Sequence, residues 1–539
     1  MPVRRLPHNP SLEHLRKQAR AVQRGVRAGD ADALALVREY HPRFRTPADG
    51  MTPPLPAFAL ADAQLVIARQ YGFPSWPKLR AHLEIVARYS RSPHRPPTDT
   101  QPATSTGVAP NLAALADEFL RLACLTYGGD SPARREDARR LLRTHPELRT
   151  ATIHTIATCG EAGAARTVLA HDPSLANQQG GPHRWEPLLY LAYARVEPDA
   201  GRSGDGSTGD GSAAAFSPAV ETARVLLAAG ADPNAGYLWE GLPSPFTVLT
   251  GAFGEGEDAI NQPPHPDSLA LARLLLEVGA DPNDSQALYN RQFRAGTAHL
   301  ELLLRYGLGR GDGGIWHARL SPNHATPAQM VQDQLLWAAS ENMPERVRLL
   351  LAHGVEVDGR GTEHPGFRQH SAYELAVLHG NSEIAGLLAA AGADTGTLDP
   401  VATFLGACLS GDASEVARRL AADPSIQARA RAREPHAMVR AAQIGRAAAV
   451  RLLASLGFDV NALRRTSALH EAAWRGNLEL VTSLLDLGAD PGLLDTAFHA
   501  TPLGWARHNQ QHEVAAYLAP LTPPAGPPGP PSGPSNDVP

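Results

Sequence analysis

The chain has 539 residues, a formal net charge of −5, 43% hydrophobic and only 6% aromatic residues. So small a charge over that length gives bulk electrostatics no reason to attract nucleic acid or a membrane. Cys124, Cys159 and Cys408 lie far apart with no C-x-x-C spacing, which disfavours a disulfide framework or thiolate zinc site; Lys17 and Lys78, the only lysines, leave little place for a phosphate-binding loop or a Schiff base.

At the start of the chain, Leu12, Leu15, Ala19, Val22 and Val26 recur at steps of 3, 4, 3 and 4, which predicts a helix ended by Gly29 and followed by the apolar stretch Leu34 to Val37. Ala59 to Glu84 predicts a helix through Ala68, a turn at Gly72, and a second helix with Ser75 as N-cap, Pro77 in its first turn and Trp76 packing the joint. Residues 1–90 therefore read as a helical N-terminal cap module. Residues 91–110, rich in Pro, Ser and Thr and without periodicity, read as a linker.

From 111 to 520 the chain repeats itself. The cleanest copy is Ser467 to Asp490, SALHEAAWRGNLELVTSLLDLGAD. Leu469 to Ala473 opens a short helix whose alanines let a neighbour approach, and Gly476 ends it because a left-handed turn costs glycine little. A second helix follows from Leu478, with Leu480, Val481, Leu484 and Leu485 on one face, and Gly488 stops it. Taking the first helix's alanine as landmark, Ala338, Ala376, Ala407, Ala441, Ala472 and Ala506 are separated by 38, 31, 34, 31 and 34 residues. The end of the unit recurs at Leu226 to Ala235, Leu274 to Asp284, Leu350 to Gly359, Leu387 to Gly396 and Leu452 to Ala462. A fixed period near 33 residues is the signature of stacked helix pairs that bury a core only together, and roughly nine to eleven units fit. Gly- and Ser-rich residues near 199–217 and polar residues near 255–267 read as surface insertions, and 521–539 as a disordered Pro/Gly tail.

"SALHEAAWRGNLELV…LLDLGADP" and "TPLGWARHNQQHEVAAYL" resemble ankyrin repeats, and the Ala59 to Glu84 pair resembles the N-terminal segment that accompanies ankyrin arrays in many bacterial proteins. The fold class this implies is all-α: an ankyrin-repeat solenoid of stacked helix-turn-helix units with short hairpin tips, preceded by the helical cap. The resemblance also implies a concave groove lined by the hairpin tips and first-helix ends. In that register Arg431, Arg433, Arg464, Arg465, Phe367, Arg368 and Phe498 are tip residues, and Trp474 and Arg475 end a first helix.

Other motifs lose their meaning in this setting. Gly204, Gly206 and Gly209, like Gly309, Gly311 and Gly314, spell G-x-G-x-x-G without a preceding strand in a βαβ unit. His470-Glu471 lacks the second histidine of a zinc-protease helix, because position 474 is Trp. His470 reads as a structural histidine, and His379 and His508 as solvated surface. No paired acid and base, metal-ligand spacing or cofactor motif is found. The expectation is a non-enzyme without cofactor or metal.

Local charge is less even than the total. Ten basic residues face four acidic ones from Met1 to Arg45, and nine arginines face Glu434, Asp459 and Glu471 from Ser425 to Arg475. The preference for Arg over Lys is what a GC-rich bacterial genome produces. Aromatic and arginine side chains on a recessed surface favour interface hot spots. The expected function is a monomeric, cytoplasmic protein-protein interaction scaffold whose groove, through Trp474, Arg475, Arg464, Arg465, Arg431, Arg433, Phe367, Arg368 and Phe498, takes a partner with an acidic surface. The alternative is nucleic-acid or other polyanion binding through the Arg-rich segments 4–45 and 429–475. No segment of the composition needed to enter a membrane occurs.

Overall fold

Ser11 caps the first helix, Leu12–Ala28, by accepting from the His14 N–H, and Gly29 ends it at φ 74°. In this computed structural model the described residues are 4, 6, 10–44, 58–95, 111–196, 217–362, 366–367, 370–396 and 398–523. They fall into two compact units, Met1–Gln334 and Leu335–Pro539.

In the first unit the opening helix is followed by Ala31–Tyr40, Leu60–Gln70 and Trp76–Tyr89, the last capped by Ser75 with Pro77 in its first turn. Leu15, Ala19, Val26, Val37, Val66, Ile67 and Leu79 close one core, with Trp76 packed against it. The chain then departs from the expected linker. Ser90–Arg91 forms strand β1, paired in parallel with β2 (Gly236–Trp239), which pairs antiparallel with β3 (Pro245–Thr247). Val86 joins Leu238, Trp316 and Leu320 in a second small core, and the Arg319 guanidinium lies over the Tyr89 and Trp316 rings at 4.7 and 4.8 Å. The N-terminal helices are thus fastened to the repeats through backbone pairing and a shared apolar seam. Residues 96–110 lie outside the described residues.

Beyond them, helices Leu112–Ala123, Ile153–Thr158, Pro187–Tyr193, Val248–Phe253 and Ser285–Gln292 pack in succession as one layer. Helices Ala162–His171, Pro218–Ala228, Ser268–Glu277 and Ala298–Arg305 form the layer behind. Asparagines at the ends of the units lock each copy to the next. Asn177 Nδ2 donates to the Gly230 carbonyl at 2.7 Å while its Oδ1 accepts from Asp232 N at 2.9 Å; Asn234 repeats the pair with Gly279 and Asp281. One side chain thus satisfies a donor and an acceptor that a turn leaves open.

The segment near 255–267 is not the surface insertion expected. Glu255, Gln262 and His265 are buried, because two guanidiniums reach its backbone. Arg195, itself 3% exposed, donates to the Pro263 and Gly251 carbonyls at 2.7 Å, and Arg135 donates to Asn261 O at 2.8 Å. Of the insertion near 199–217 only Ser217 is described, and of the tail only residues 521–523.

In the second unit the pairs are Ala372–Leu378 with Ser382–Ala390, Pro400–Ser410 with Ala413–Ala422, Ala437–Gln443 with Ala447–Ser455, Ala468–Trp474 with Leu478–Asp486, and Pro502–His508 with His512–Leu518. The landmark alanines Ala338, Ala376, Ala441, Ala472 and Ala506 have no exposed surface, as close helix approach requires. Phe404, Leu405, Val450, Leu453, Leu469, Leu480, Leu484 and Leu503 belong to one continuous core. Asn461 extends the asparagine bridging here, donating to Gly488 O at 3.1 Å and accepting from Asp490 N at 2.8 Å. An additional helix, Ile426–Arg433, stands between two pairs where a hairpin tip was expected.

Candidate partner-binding groove

Two glycines shape the best-formed repeat. Gly476, at φ 68°, ends the first helix in a position where a Cβ would meet the Gln511 side chain at 2.0 Å, and Gly488, at φ 90°, ends the second. Trp474 is the last residue of that first helix. His470, with no exposed surface, fixes the start of the helix: its Nδ1 bonds Ser467 Oγ at 2.8 Å, and its Nε2 donates to the carbonyl of Ala500 in the next repeat at 3.0 Å. A carbonyl only accepts, so Nε2 carries the proton, and burial lowers the imidazole's pKa and keeps it neutral. His470 therefore has the structural part expected of it and also ties two units together.

The next tip is built around Asp495. Its carboxylate accepts from the N–H groups of Ala497, Phe498 and Ala500 at 2.8, 2.6 and 2.9 Å and from the Trp505 indole at 2.9 Å. Burial alone raises its pKa, but these bonds outweigh it and hold the carboxyl below its ordinary value. The clamp leaves Phe498 65% exposed and sets Trp505 beside it, with ring centroids 6.1 Å apart. Trp505 meets Trp474 edge to face at 5.4 Å, and Trp474 stacks on His508 at 5.8 Å. The Arg465 guanidinium lies over the Phe498 ring at 5.4 Å, and the backbones of the two tips join through Thr496 N donating to Arg465 O at 3.0 Å. The result is a strip of aromatic rings across two repeats with a cation at one end.

Arg464, Arg475 and Arg507 are exposed beside this strip, and their guanidiniums have no hydrogen bond or ion pair among the described residues. The nearby carboxylates are committed: Glu471 accepts from Thr466 Oγ1 at 2.6 Å, and Asp495 holds its tip. The surface therefore offers cations and aromatic faces together.

The expected groove residues divide accordingly. Trp474, Arg475, Arg464, Arg465 and Phe498 come together. Arg431 and Arg433 do not join them and are not on a tip, since both lie in helix Ile426–Arg433. Arg431 donates to Gly457 O at 3.1 Å, taking the part that an asparagine plays between other repeats, and Arg433 pairs with Asp399. Phe367 is 6% exposed, so its ring is withdrawn from the surface, and Arg368 lies outside the described residues. Sequence reasoning passed over Trp505 and Asp495 and read His508 as solvated surface. His508 stands two residues after landmark Ala506, as Trp474 stands two after Ala472, and that shared register was the available signal.

His379 is also more than solvated surface: its Nδ1 lies 3.1 Å from Ser340 Oγ and 3.2 Å from Arg440 Nη2. Arg440 also donates to Glu341 at 2.7 Å and to Ser340 O. Arg446 donates to the carbonyls of His379, Gly380 and Leu409 at 3.1, 2.7 and 3.0 Å and to Asn381 Oδ1 at 2.8 Å. With Arg429 paired to Asp423, much of the basic segment 429–475 is spent on internal bonds.

Gly309 and Gly311 sit in a loop and Gly314 opens helix Gly314–Leu320; all three are at positive φ, and helix Ala298–Arg305 rather than a strand comes before them. The open cleft beside this loop, about 460 Å³, has Asp281, Asp312 and Arg310 in its wall. The other glycine string, 204 to 209, is outside the described residues. Among the described residues, no group of three or more His, Cys, Asp or Glu is placed to hold a metal, and no helix is long and apolar enough to cross a membrane.

A family model described as ankyrin repeats (3 copies) matches residues 404–495. The chain contains ankyrin repeats. The matched stretch runs from helix Pro400–Ser410 to the Asp495 tip, so it includes Trp474 and the arginines of the Ala468–Trp474 repeat. Ankyrin repeats are in general protein-protein interaction domains. No curated protein matches the chain.

Proposed function

We propose that this chain is a non-catalytic scaffold that captures a partner protein on the groove formed by its last two ankyrin repeats, and that the captured surface carries carboxylates. The supporting observation is the strip Phe498, Trp505, Trp474 and His508 with Arg465 over its end and, beside it, three further guanidiniums that have no partner among the described residues. Large planar side chains held rigid by their neighbours lose little entropy on binding, so a few such contacts contribute most of an interface's affinity. In this reading the chain works as a monomer in the cytoplasm, a compartment with which its three free thiols agree. The polyanion alternative, through segments 4–45 and 429–475, loses support in the second, where Arg429, Arg431, Arg433, Arg440 and Arg446 already have partners within the fold.

The test is cross-linked capture from the native cell with the wild-type chain and with Phe498→Ala/Arg465→Ala. Both residues are exposed, so the double variant is expected to unfold at the wild-type temperature and to lose the captured protein. Unchanged capture by the folded double variant rules this groove out.

A further inference from the structure

We infer that the chain covers this groove with its own proline-rich segment 524–534, docked as a polyproline II helix over Phe498 and Trp505, and that a partner must displace it. The inference rests on the groove reading above and adds its regulation.

The place where the chain leaves the array points to this occupant. After helix His512–Leu518 the N–H groups of Leu521 and Thr522 both donate to Leu518 O at 3.0 Å, which fixes the exit. There the Pro523 ring packs on Gly492, where a Cβ would stand 3.1 Å from it. Gly492 follows Gly488 by four residues, as Asn234 and Asn461 follow Gly230 and Gly457. Those asparagines hold the next repeat; in the last one a glycine makes room for the ring of the departing chain instead. Phe498 lies six residues beyond Gly492 on the same tip, hence at most about 21 Å away. Leu521 at the exit is 46% exposed, and Leu494 on the tip 48%. Apolar side chains thus stand uncovered at the exit, on the tip and in the strip.

The sequence that follows suits this surface. Pro524, Pro527 and Pro530 recur every third residue, as do Pro528, Pro531 and Pro534, while Gly526, Gly529 and Ser532 fall between them. A polyproline II helix has three residues per turn and rises about 3.1 Å per residue, so the prolines form two adjacent edges and the small residues the third. Aromatic-lined grooves take proline-rich chains in this form, at low entropic cost because proline already restricts the backbone. Eleven residues reach about 34 Å, which exceeds the greatest separation of exit and Phe498. Segment 524–534 carries no charge, so contact with the rings holds it and the arginines beside them stay available. Tethering selects it over any free segment of like composition. A short tether gives an effective concentration of about 1 mM, at which even a docking of Kd ~0.1 mM is about 90% filled.

The experiment uses the full chain, as wild type and as Pro527→Ala/Pro528→Ala/Pro530→Ala/Pro531→Ala, with an end-blocked synthetic peptide of residues 524–534 carrying a neutral fluorophore. Fluorescence anisotropy is expected to show the peptide binding the quadruple variant about tenfold tighter than the wild type, whose own segment competes. High salt should not weaken that binding, the peptide being uncharged. Phe498→Ala, added to the quadruple variant, should abolish it. Equal affinity for the two chains overturns the inference, because the groove is then open. Binding to neither chain, or binding that Phe498→Ala leaves unchanged, overturns it as well.

Cross-linked capture judges the groove reading separately, and the quadruple variant is expected to capture more partner than the wild type. Capture lost with Phe498→Ala/Arg465→Ala but unchanged in the quadruple variant sinks the covering segment and leaves the groove. Capture indifferent to Phe498→Ala/Arg465→Ala, with peptide binding that needs Phe498, sinks the groove reading and leaves the docked segment.

Discussion

Trp474 and His508 occupy the same register position in consecutive repeats, and their rings stack at 5.8 Å with an interplanar angle of 19°. Because the repeat sets the spacing of the helices, two residues 34 apart in the chain become face-to-face neighbours on its surface. The stack holds Trp474 in one orientation, and the Asn509 side chain donating to the Trp474 carbonyl at 2.6 Å fixes the helix end beneath it. Repeat packing and local hydrogen bonds thus hold the strip in the same place.

The Asp495 clamp carries a first prediction. Asp495→Ala removes the acceptor of three backbone N–H groups and of the Trp505 indole, and is expected to cost about 2–4 kcal/mol, several charge-assisted bonds being lost at once. Its carboxyl is held below the ordinary value, so the stabilisation it gives is complete above pH 4 and is lost as pH falls through the folded-state pKa. Urea unfolding of wild type and variant at neutral pH measures the difference; a loss under 0.5 kcal/mol, on the scale of an ordinary surface change, would falsify the clamp.

Asn461→Ala should destabilise the second unit by roughly 1–2 kcal/mol, since it leaves Gly488 O and Asp490 N without their partner. Asn461→Asp should be little better: a carboxylate can still accept from Asp490 N but cannot donate to Gly488 O. Thermal unfolding of the two variants side by side checks this, and an Asp variant as stable as wild type contradicts it.

Arg446→Met is expected to cost about 3 kcal/mol or more, because it deprives three helix-end carbonyls and Asn381 of a shared donor in a partly buried place. Arg446→Lys should recover only a part, one ammonium being unable to span acceptors that the planar guanidinium reaches with two nitrogens. Equilibrium denaturation gives the ranking wild type, Lys, Met. A Met variant no less stable than the Lys variant speaks against it.

The first unit should respond to pH through buried groups of opposite sign. Burial pushes His183 and His265 down to about 3 and His324 to about 4, so the stability they permit is full above pH 6.5 and lost as pH falls towards those values. Burial pushes Asp284 up to about 6 despite bonds from Thr247, Thr250 and Ala287, so its contribution is full below pH 4 and lost as pH rises through 6. Among these four groups the histidines outnumber the carboxyl, so their joint contribution to stability falls as pH drops from 6 to 4. Asp284→Asn should gain about 3 kcal/mol relative to wild type at pH 7.5 and roughly half of that at pH 5. Calorimetry at the two values checks the sign, and a gain that grows on acidification contradicts it.

Much of the repeat architecture was legible because it depends on local chemistry: glycine at left-handed positions, leucines at helical spacing, alanines where helices touch. The helix Ile426–Arg433 was not legible, since IQARARAR offers only Ile426 and Ala430 to a core and no apolar period. The sheet was missed because its strands are two to four residues long and exist through pairing across 148 positions. Arginine roles were the hardest to assign. Arg431, Arg433 and Arg440 find their partners 26, 34 and 99 residues away, so position within a repeat does not distinguish a guanidinium that binds the fold from one that faces outward. Along the strip, Trp474 and Arg475 stood out as departures from the repeat and Arg465 and Phe498 by their tip register, whereas Trp505 was hidden inside the pattern itself.

The parallel pairing of Ser90 and Arg91 with Leu238 and Trp239 sets an order of events during synthesis. The four N-terminal helices leave the ribosome long before their seam exists, and at 5–20 residues per second roughly 10–30 s pass before β2 is made. Over that interval Val86 and Tyr89 face solvent. The nascent chain is most exposed to proteases and to chaperones that hold apolar surface at that stage, which ends only when helix Gly314–Leu320 brings Trp316 and Leu320 to the seam.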